Sequence, residues 1–201
     1  IEAGTCAGEV PDLVGEVVAT DNCTDAGSLT ITQSPTAGSS FGSAHDDTQV
    51  VTLFVADDNG NTTTCTTLIT LKDNEGPSIT TCPAGRTINN VAGSCVALVP
   101  DLTGEVVAMD NCTATENLVI TQSLGVGVPV GFTHNAMQTV TMTVDDGNGN
   151  TTTCEVILRV NDNEGPVITT CPADRDINTE DGTCAGLVPD LTTEVISSDN
   201  C

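Results

Sequence analysis

Thr5-Cys-Ala-Gly-Glu-Val-Pro-Asp-Leu-Val-Gly-Glu-Val-Val-Ala-Thr-Asp-Asn-Cys23 decides how this chain is read. The stretch returns as Ser94–Cys112 and again as Thr183–Cys201. Cys6, Cys95 and Cys184 stand 95−6 = 89 and 184−95 = 89 positions apart. Cys23, Cys112 and Cys201 keep the same 89, as do Cys65 with Cys154 and Cys82 with Cys171. A fixed period carried along the whole chain marks a tandem array. With 201 = 2×89 + 23, the sequence reads as a window on a longer array. The expected repeats are 1–73 (without its first strands), a complete one at 74–163, and the start of a third at 164–201.

Working outward, the middle repeat is read as a series of short strands. Thr139-Val-Thr-Met-Thr-Val144 alternates strictly between polar and apolar, which predicts a half-buried strand with one threonine-lined face. A turn rich in Asp, Asn and Gly follows at 145–150, and Cys154, Val156, Leu158 and Val160 share one face of the next strand. Repeat 1 copies the pattern with Val51, Leu53 and Val55, then Cys65, Thr67, Ile69 and Leu71. Shorter strands are expected at 78–82, 86–91, 95–99, 105–109 and 118–122, with a glycine-rich loop at 125–131. No segment sustains a helical period. The expected fold class is all-β: tandem β-sandwich repeats with an 89-residue period, stapled by disulfides.

Composition places the chain outside the cell. Ten cysteines, all at repeated positions, suit a disulfide framework in an oxidising compartment. Zinc is a poorer reading, because there is no Cys-x-x-Cys pair and the only histidines, His45 and His134, occupy one repeat position. Those two are expected to be structural. Net charge is −24, with four Lys+Arg against 28 Asp+Glu, so nucleic acid is excluded as a partner for want of cations to meet phosphate. Divalent cations are the natural counterions, and the charge also keeps a long polymer soluble. With no Trp or Tyr and three Phe, each repeat buries a modest core, and disulfides are expected to offset that. No apolar run approaches the roughly 20 residues of a membrane span.

Four landmarks recur in order: Cys82-Pro83 after a short strand, Asp110-Asn111-Cys112, the run from Asp146 to Cys154, and Asn161-Asp-Asn-Glu-Gly-Pro166. Together they resemble the hyalin repeat, or HYR, family. The resemblance covers the whole chain and implies an immunoglobulin-like fold and an extracellular role in adhesion or matrix. The family's Gly-x-Phe-Pro-x-Gly loop is weak here, reading 38–42 in one repeat and 127–131 in the next.

Four cysteines in the complete repeat allow three connectivities. The expected one pairs Cys82 with Cys95 and Cys112 with Cys154. By copying, Cys23 pairs with Cys65 and Cys171 with Cys184. Cys6 and Cys201 are then left over, as a window cut mid-repeat would leave them; the rival reading is that they pair with neighbouring molecules.

The junction Lys72-Asp73-Asn-Glu75-Gly-Pro77 and its copy at Asn161–Pro166 also look like the acidic linker of cadherins, which binds calcium between domains. Calcium takes six to eight oxygens from carboxylates and carbonyls. Asp73 and Glu75 are expected to meet Asp145, Asp146 and Asp110, and Asp162 and Glu164 to meet Asp199. The competing reading is a plain acidic turn. Four sequons, at Asn22, Asn61, Asn111 and Asn150, form two repeat-equivalent pairs and are candidate glycan acceptors; the competing reading is ordinary turn chemistry.

No catalytic constellation is present, so the chain is read as a non-enzyme. The leading reading is a structural segment of a long extracellular or cell-surface repeat protein forming a fibre, stalk or matrix filament. Its partners are neighbouring repeats and other copies, with glycans and junctional calcium. The alternative is a calcium-dependent adhesion or ligand-binding module, and a third reading is a spacer in a large secreted enzyme.

Overall fold

The computed structural model describes residues 4–201. Fifteen strands follow in chain order: β1 (Gly8–Glu9), β2 (Thr30–Ser34), β3 (Ser40–Phe41), β4 (Thr48–Ala56), β5 (Thr62–Thr70), β6 (Ser78–Thr81), β7 (Arg86–Asn89), β8 (Ala97–Leu98), β9 (Val107–Met109), β10 (Val119–Gln122), β11 (Pro129–Val130), β12 (Met137–Asp145), β13 (Thr151–Asn161), β14 (Val167–Thr170) and β15 (Ile196–Ser198). Short 3-10 turns at Val14–Glu16, Thr103–Glu105 and Thr192–Glu194 start at successive 89-residue steps. All the strands but β7, whose counterpart positions 175–178 form no strand, obey the same step: β1, β2, β3, β4 and β5 begin 89 residues before β8, β10, β11, β12 and β13. β6 and β9 likewise precede β14 and β15 by 89. The period of the sequence is therefore a period of the structure, and the chain is all-β.

Two compact units form, each discontinuous in sequence. Among the described residues, the first comprises 4–83, 102–123 and 141–154. Its antiparallel three-stranded sheet has the order β2-β4-β5, with Thr48 opposite Thr70 and Ala56 opposite Thr62. Val51, Leu53 and Val55 of β4 are buried, while Thr52 and Phe54 between them are not. β1 pairs with β3, β6 with β9, and β10 with the Met142–Asp145 end of β12, all antiparallel. Leu102, Val106, Ala108, Met142 and Val144 are buried here too. Each of these Val, Leu and Met side chains contributes roughly 1.5–3 kcal/mol when fully removed from water.

The second unit comprises residues 84–101, 124–140 and 155–201. Here β7 runs parallel to β13, from Arg86 opposite Leu158 to Asn89 opposite Asn161. This parallel edge was not expected from the sequence. β11 pairs with β8, and β14 with β15. Val156, Leu158 and Val160 of β13 are buried, as is Val140 of β12, which bears out the alternation read from 139–160. Gly131 needs its φ of +71°, and a Cβ there would lie 2.5 Å from Val160 Cγ2. Its counterpart Gly42 (φ +75°) lies against Leu71 in the first unit, where a Cβ would stand 2.7 Å from Leu71 Cδ2. Only glycine fits a left-handed backbone packed this closely. The expected glycine-rich loop therefore ends in a short paired strand, β11, rather than staying irregular.

The disulfides correct the expected pairing. Cys82 bonds Cys154, Cys6 bonds Cys112, and Cys95 bonds Cys201. Cys82–Cys95, Cys112–Cys154, Cys23–Cys65 and Cys171–Cys184 do not form, and Cys23, Cys65, Cys171 and Cys184 are free and exposed. Cys6 and Cys201, expected to be left over, are both bonded. The reason lies in the Asp-Asn-Cys turns. Asn111 Nδ2 donates to the Thr5 carbonyl at 2.9 Å, which brings Cys112 to a Cα separation of 4.7 Å from Cys6. Asn200 Nδ2 donates to the Ser94 carbonyl at 3.1 Å, and Cys201 meets Cys95 at 4.8 Å. A disulfide needs Cα atoms roughly 4.4–6.8 Å apart, and these turns supply that distance over 106 positions of chain. Closeness in sequence was the wrong guide.

No helix among the described residues is long and apolar enough to cross a membrane.

Candidate metal centre

Three turns of the first unit each present one aspartate. After β9, Asp110 Oδ1 accepts the backbone N–H groups of Cys112 and Thr113, both at 2.8 Å. This is the Asx turn that an Asp-Asn sequence favours. In the turn between β12 and β13, Asp146 Oδ1 accepts the N–H of Asn148 (2.7 Å) and of Asn150 (3.0 Å). Asp146 Oδ2 accepts the Asn150 side-chain amide at 2.7 Å. In the junction after β5, Asp73 Oδ1 accepts the Glu75 N–H at 3.2 Å, and Asp73 Oδ2 accepts the Asn148 amide at 2.9 Å. The Asp73 N–H itself donates to His45 Nδ1 at 2.9 Å. Asp73 and Asp146 are 5% and 3% exposed.

One oxygen from each of Asp73, Asp110 and Asp146 lies within 4.8 Å of the other two. At that distance each carboxylate pair repels by roughly 3–4 kcal/mol at an effective dielectric near 20. Burial alone would push the Asp146 carboxyl up. The Asn150 amide and the N–H groups of Asn148, Asn150 and Gly149 outweigh it and hold the group below its ordinary value, so it is charged. Asp110 Oδ2 is fully enclosed and has no hydrogen-bond partner. Leaving a buried polar oxygen unpartnered costs about 1–3 kcal/mol.

A divalent cation answers both costs. Calcium–oxygen bonds of about 2.3–2.6 Å put oxygens on opposite sides of one ion about 5 Å apart, so the three carboxylates fit around a single ion. An all-oxygen donor set favours calcium or magnesium over zinc or copper.

The other expected ligands are placed elsewhere. Glu75 Oε2 accepts the Gly4 N–H at 3.1 Å. Its counterpart Glu164 accepts the Gly93 N–H at 3.1 and 2.9 Å through its two oxygens. Both glutamates thus hold a positive-φ glycine ahead of a bonded cysteine, Cys6 or Cys95. Asp145 Oδ1 accepts the Gly147 N–H at 2.7 Å, outside the cluster. In the second unit, Asp162 Oδ1 accepts the Glu164 N–H (3.1 Å) and Asp199 Oδ1 accepts the Cys201 N–H (2.8 Å). These repeat the local geometry of Asp73 and Asp110, but no third acid joins them among the described residues.

Some participants were not read from the sequence as part of this cluster. Asn148 and Asn150 tie the Asp146 turn to Asp73, and Thr113 Oγ1 donates to the Asp146 carbonyl at 2.9 Å. Asp21 and Asp57 stand 89 residues before Asp110 and Asp146 and make the same backbone bonds. The period itself was the signal that pointed to them. The N–H groups of Cys23 and Thr24 hold the Asp21 carboxyl below its ordinary value despite the nearby Asp57 charge.

His45 and His134 are structural, as expected: each Nδ1 accepts a junction N–H, that of Asp73 at 2.9 Å and of Asp162 at 3.1 Å. Of the four sequon asparagines, Asn22 and Asn61 are exposed, whereas Asn111 and Asn150 are half-buried with their amides engaged as described.

No protein-family model matches the chain, and no curated protein matches it. Among solved structures it is similar to PcdhgB3 EC1-4, with a TM-score of 0.34 and 14% identity over 80% of this chain and 46% of that one. It is also similar to Sidekick-1 immunoglobulin domains 1-4, with a TM-score of 0.28 and 14% identity over 72% of this chain and 45% of that one. For the human Desmocollin-1 ectodomain the TM-score is 0.27 and the identity 15%, over 85% of this chain and 37% of that one. The chain spans less than half the length of each of these structures.

Proposed function

We propose that this chain is a segment of an extracellular tandem-repeat protein acting as a calcium-dependent adhesion or ligand-binding module. Its repeats span 1–73, 74–163 and 164–201, immunoglobulin-like and of the hyalin type. Asp73, from one repeat, and Asp110 and Asp146, from the next, hold the ion; the cation locks the junction on which a partner-binding geometry depends. The observation that carries this reading is the buried cluster with the enclosed, unpartnered Asp110 Oδ2. Calorimetric titration of the metal-free protein with calcium tests it. Saturable binding lost in Asp110→Asn supports the reading, and equal binding by both proteins, or none by either, defeats it.

A second reading is favoured by a separate observation. The Cys6–Cys112 bond joins two of these proposed repeats covalently. That suits a load-bearing fibre, stalk or matrix filament. Electron microscopy of native material with and without a chelator separates the two. Filaments indifferent to chelation favour the structural role, and loss of partner binding on chelation favours the adhesive one.

A further inference from the structure

The bonded cysteines fall into two classes when placed on the 89-residue period. Cys6–Cys112 and Cys95–Cys201 both span 106 positions, which is 89 + 17. Cys82–Cys154 spans 72 positions, which is 89 − 17. Each free cysteine is the counterpart of a bonded one. Cys23 corresponds to Cys112 and Cys201, Cys184 to Cys6 and Cys95, Cys65 to Cys154, and Cys171 to Cys82. Applying the two spans gives partners at 23−106 = −83, 65−72 = −7, 171+72 = 243 and 184+106 = 290. All four positions lie outside residues 1–201, and every cysteine whose partner position lies inside is bonded.

A second observation points the same way. Val188 is 85% exposed, although its counterpart Val99 is 1% exposed. Val195 is 39% exposed against 7% for Val106. In the middle repeat, Val99 exchanges backbone bonds with the 125–128 loop, Val99 N–H to the Val128 carbonyl at 3.0 Å and Gly127 N–H to the Val99 carbonyl at 2.8 Å. The corresponding cover for Val188 would come from residues 214–217, again beyond 201.

We infer that Cys23, Cys65, Cys171 and Cys184 are disulfide sites for further repeats of the same polypeptide, so that bonds of 106 and 72 positions alternate along a continuous covalent ladder. The first type links each repeat to the next, and the second closes each repeat on itself. The inference does not depend on the cation. In forming each bond, two thiols lose two protons and two electrons and join as S–S. The electrons go to an incoming disulfide of the oxidising compartment, which is cleaved to two thiols.

The test is peptide mapping of the intact native protein, denatured without reduction, alkylated with iodoacetamide and digested. The expected result is that none of these four cysteines is alkylated and that each is found in a linked peptide with a cysteine 106 or 72 positions away. Cys184→Ser and Cys171→Ser in the intact protein are each expected to add one alkylatable thiol, at 106 and 72 positions downstream. Linked peptides joining Cys23 to Cys65 or Cys171 to Cys184 would overturn the inference. So would four alkylated cysteines in the intact protein, or bonds between separate copies seen as a mass doubling on non-reducing gels. The mapping of the unsubstituted protein decides the matter even where a variant fails to fold.

Discussion

Asn148 Nδ2 donates to Asp73 Oδ2 at 2.9 Å across 75 positions of sequence. The same amide donates to Thr113 Oγ1 at 3.1 Å. One side chain therefore ties together the three turns that carry the acidic cluster. Asn148→Ala removes both bonds and leaves a buried carboxylate oxygen short of a donor, at about 1–3 kcal/mol. Groups that orient metal ligands typically alter metal affinity 10–100-fold. Calcium titration followed by thermal melting is expected to show at least a tenfold weaker affinity for Asn148→Ala. Unchanged affinity would mean that the cluster is not where calcium binds.

Asp110→Asn separates repulsion from ligation. In the presence of chelator, the variant is expected to melt above the unsubstituted protein, because one of three clustered charges is gone. With calcium at about 100 times its dissociation constant, the unsubstituted protein gains about 2.7 kcal/mol, and Asp110→Asn gains far less. The order of melting temperatures then reverses between the two conditions. Failure to reverse counts against a metal centre here.

What the sequence made legible divides by range. The alternation at 139–144 fixed the buried face of β12, and Cys154 to Val160 fixed that of β13, because a period of two is a local property. Asp73, Asp110 and Asp146 stood out for the same reason, since Asp-Asn and Asp-Gly turns announce themselves. The disulfides did not, because their spans of 106 and 72 positions depend on which turns meet in space. The capture of Glu75 by Gly4 and of Glu164 by Gly93 was equally non-local, with 71 positions between partners in both cases.

Gly131 offers a packing test with an internal control. Gly131 (φ +71°) and Gly127 (φ +79°) share a left-handed backbone, but a Cβ at Gly127 meets nothing within 4 Å. Gly127→Ala carries only the conformational cost of about 1–2 kcal/mol. Gly131→Ala adds the clash with Val160, worth about 1–3 kcal/mol more as overpacking. Urea denaturation is expected to rank Gly131→Ala below Gly127→Ala, with both below the parent. Equal losses would show that β13 yields freely at Val160.

Acid titration tests the turn at Asp57. The Asn61 side chain, together with the N–H groups of Asn61, Asn59 and Gly60, holds its carboxyl below the ordinary value against partial desolvation. A depressed folded pKa means that the stabilisation is fully present above the unfolded value near 3.9 and is lost as pH falls through the lower folded value. Stability measured from pH 5 to pH 2 is expected to fall less steeply for Asp57→Asn than for the parent. Parallel curves would show that the turn gains nothing from the charge.

The Cys82–Cys154 bond supplies a test of both stability and connectivity. It closes 72 positions with a Cα separation of 6.2 Å. Loop-closure entropy assigns such a bond roughly 4 kcal/mol, a large share of the stability of a small β-domain. The double variant Cys82→Ser/Cys154→Ser is expected to lower the urea midpoint accordingly. Its thiol count is the sharper readout. In the 201-residue chain the parent has four free thiols, and removing both ends of one bond leaves that number at four. Had Cys82 paired with Cys95 and Cys112 with Cys154, the same variant would release Cys95 and Cys112 as new thiols. A rise in thiol number would therefore return the pairing to the shorter loops, whatever happened to the midpoint.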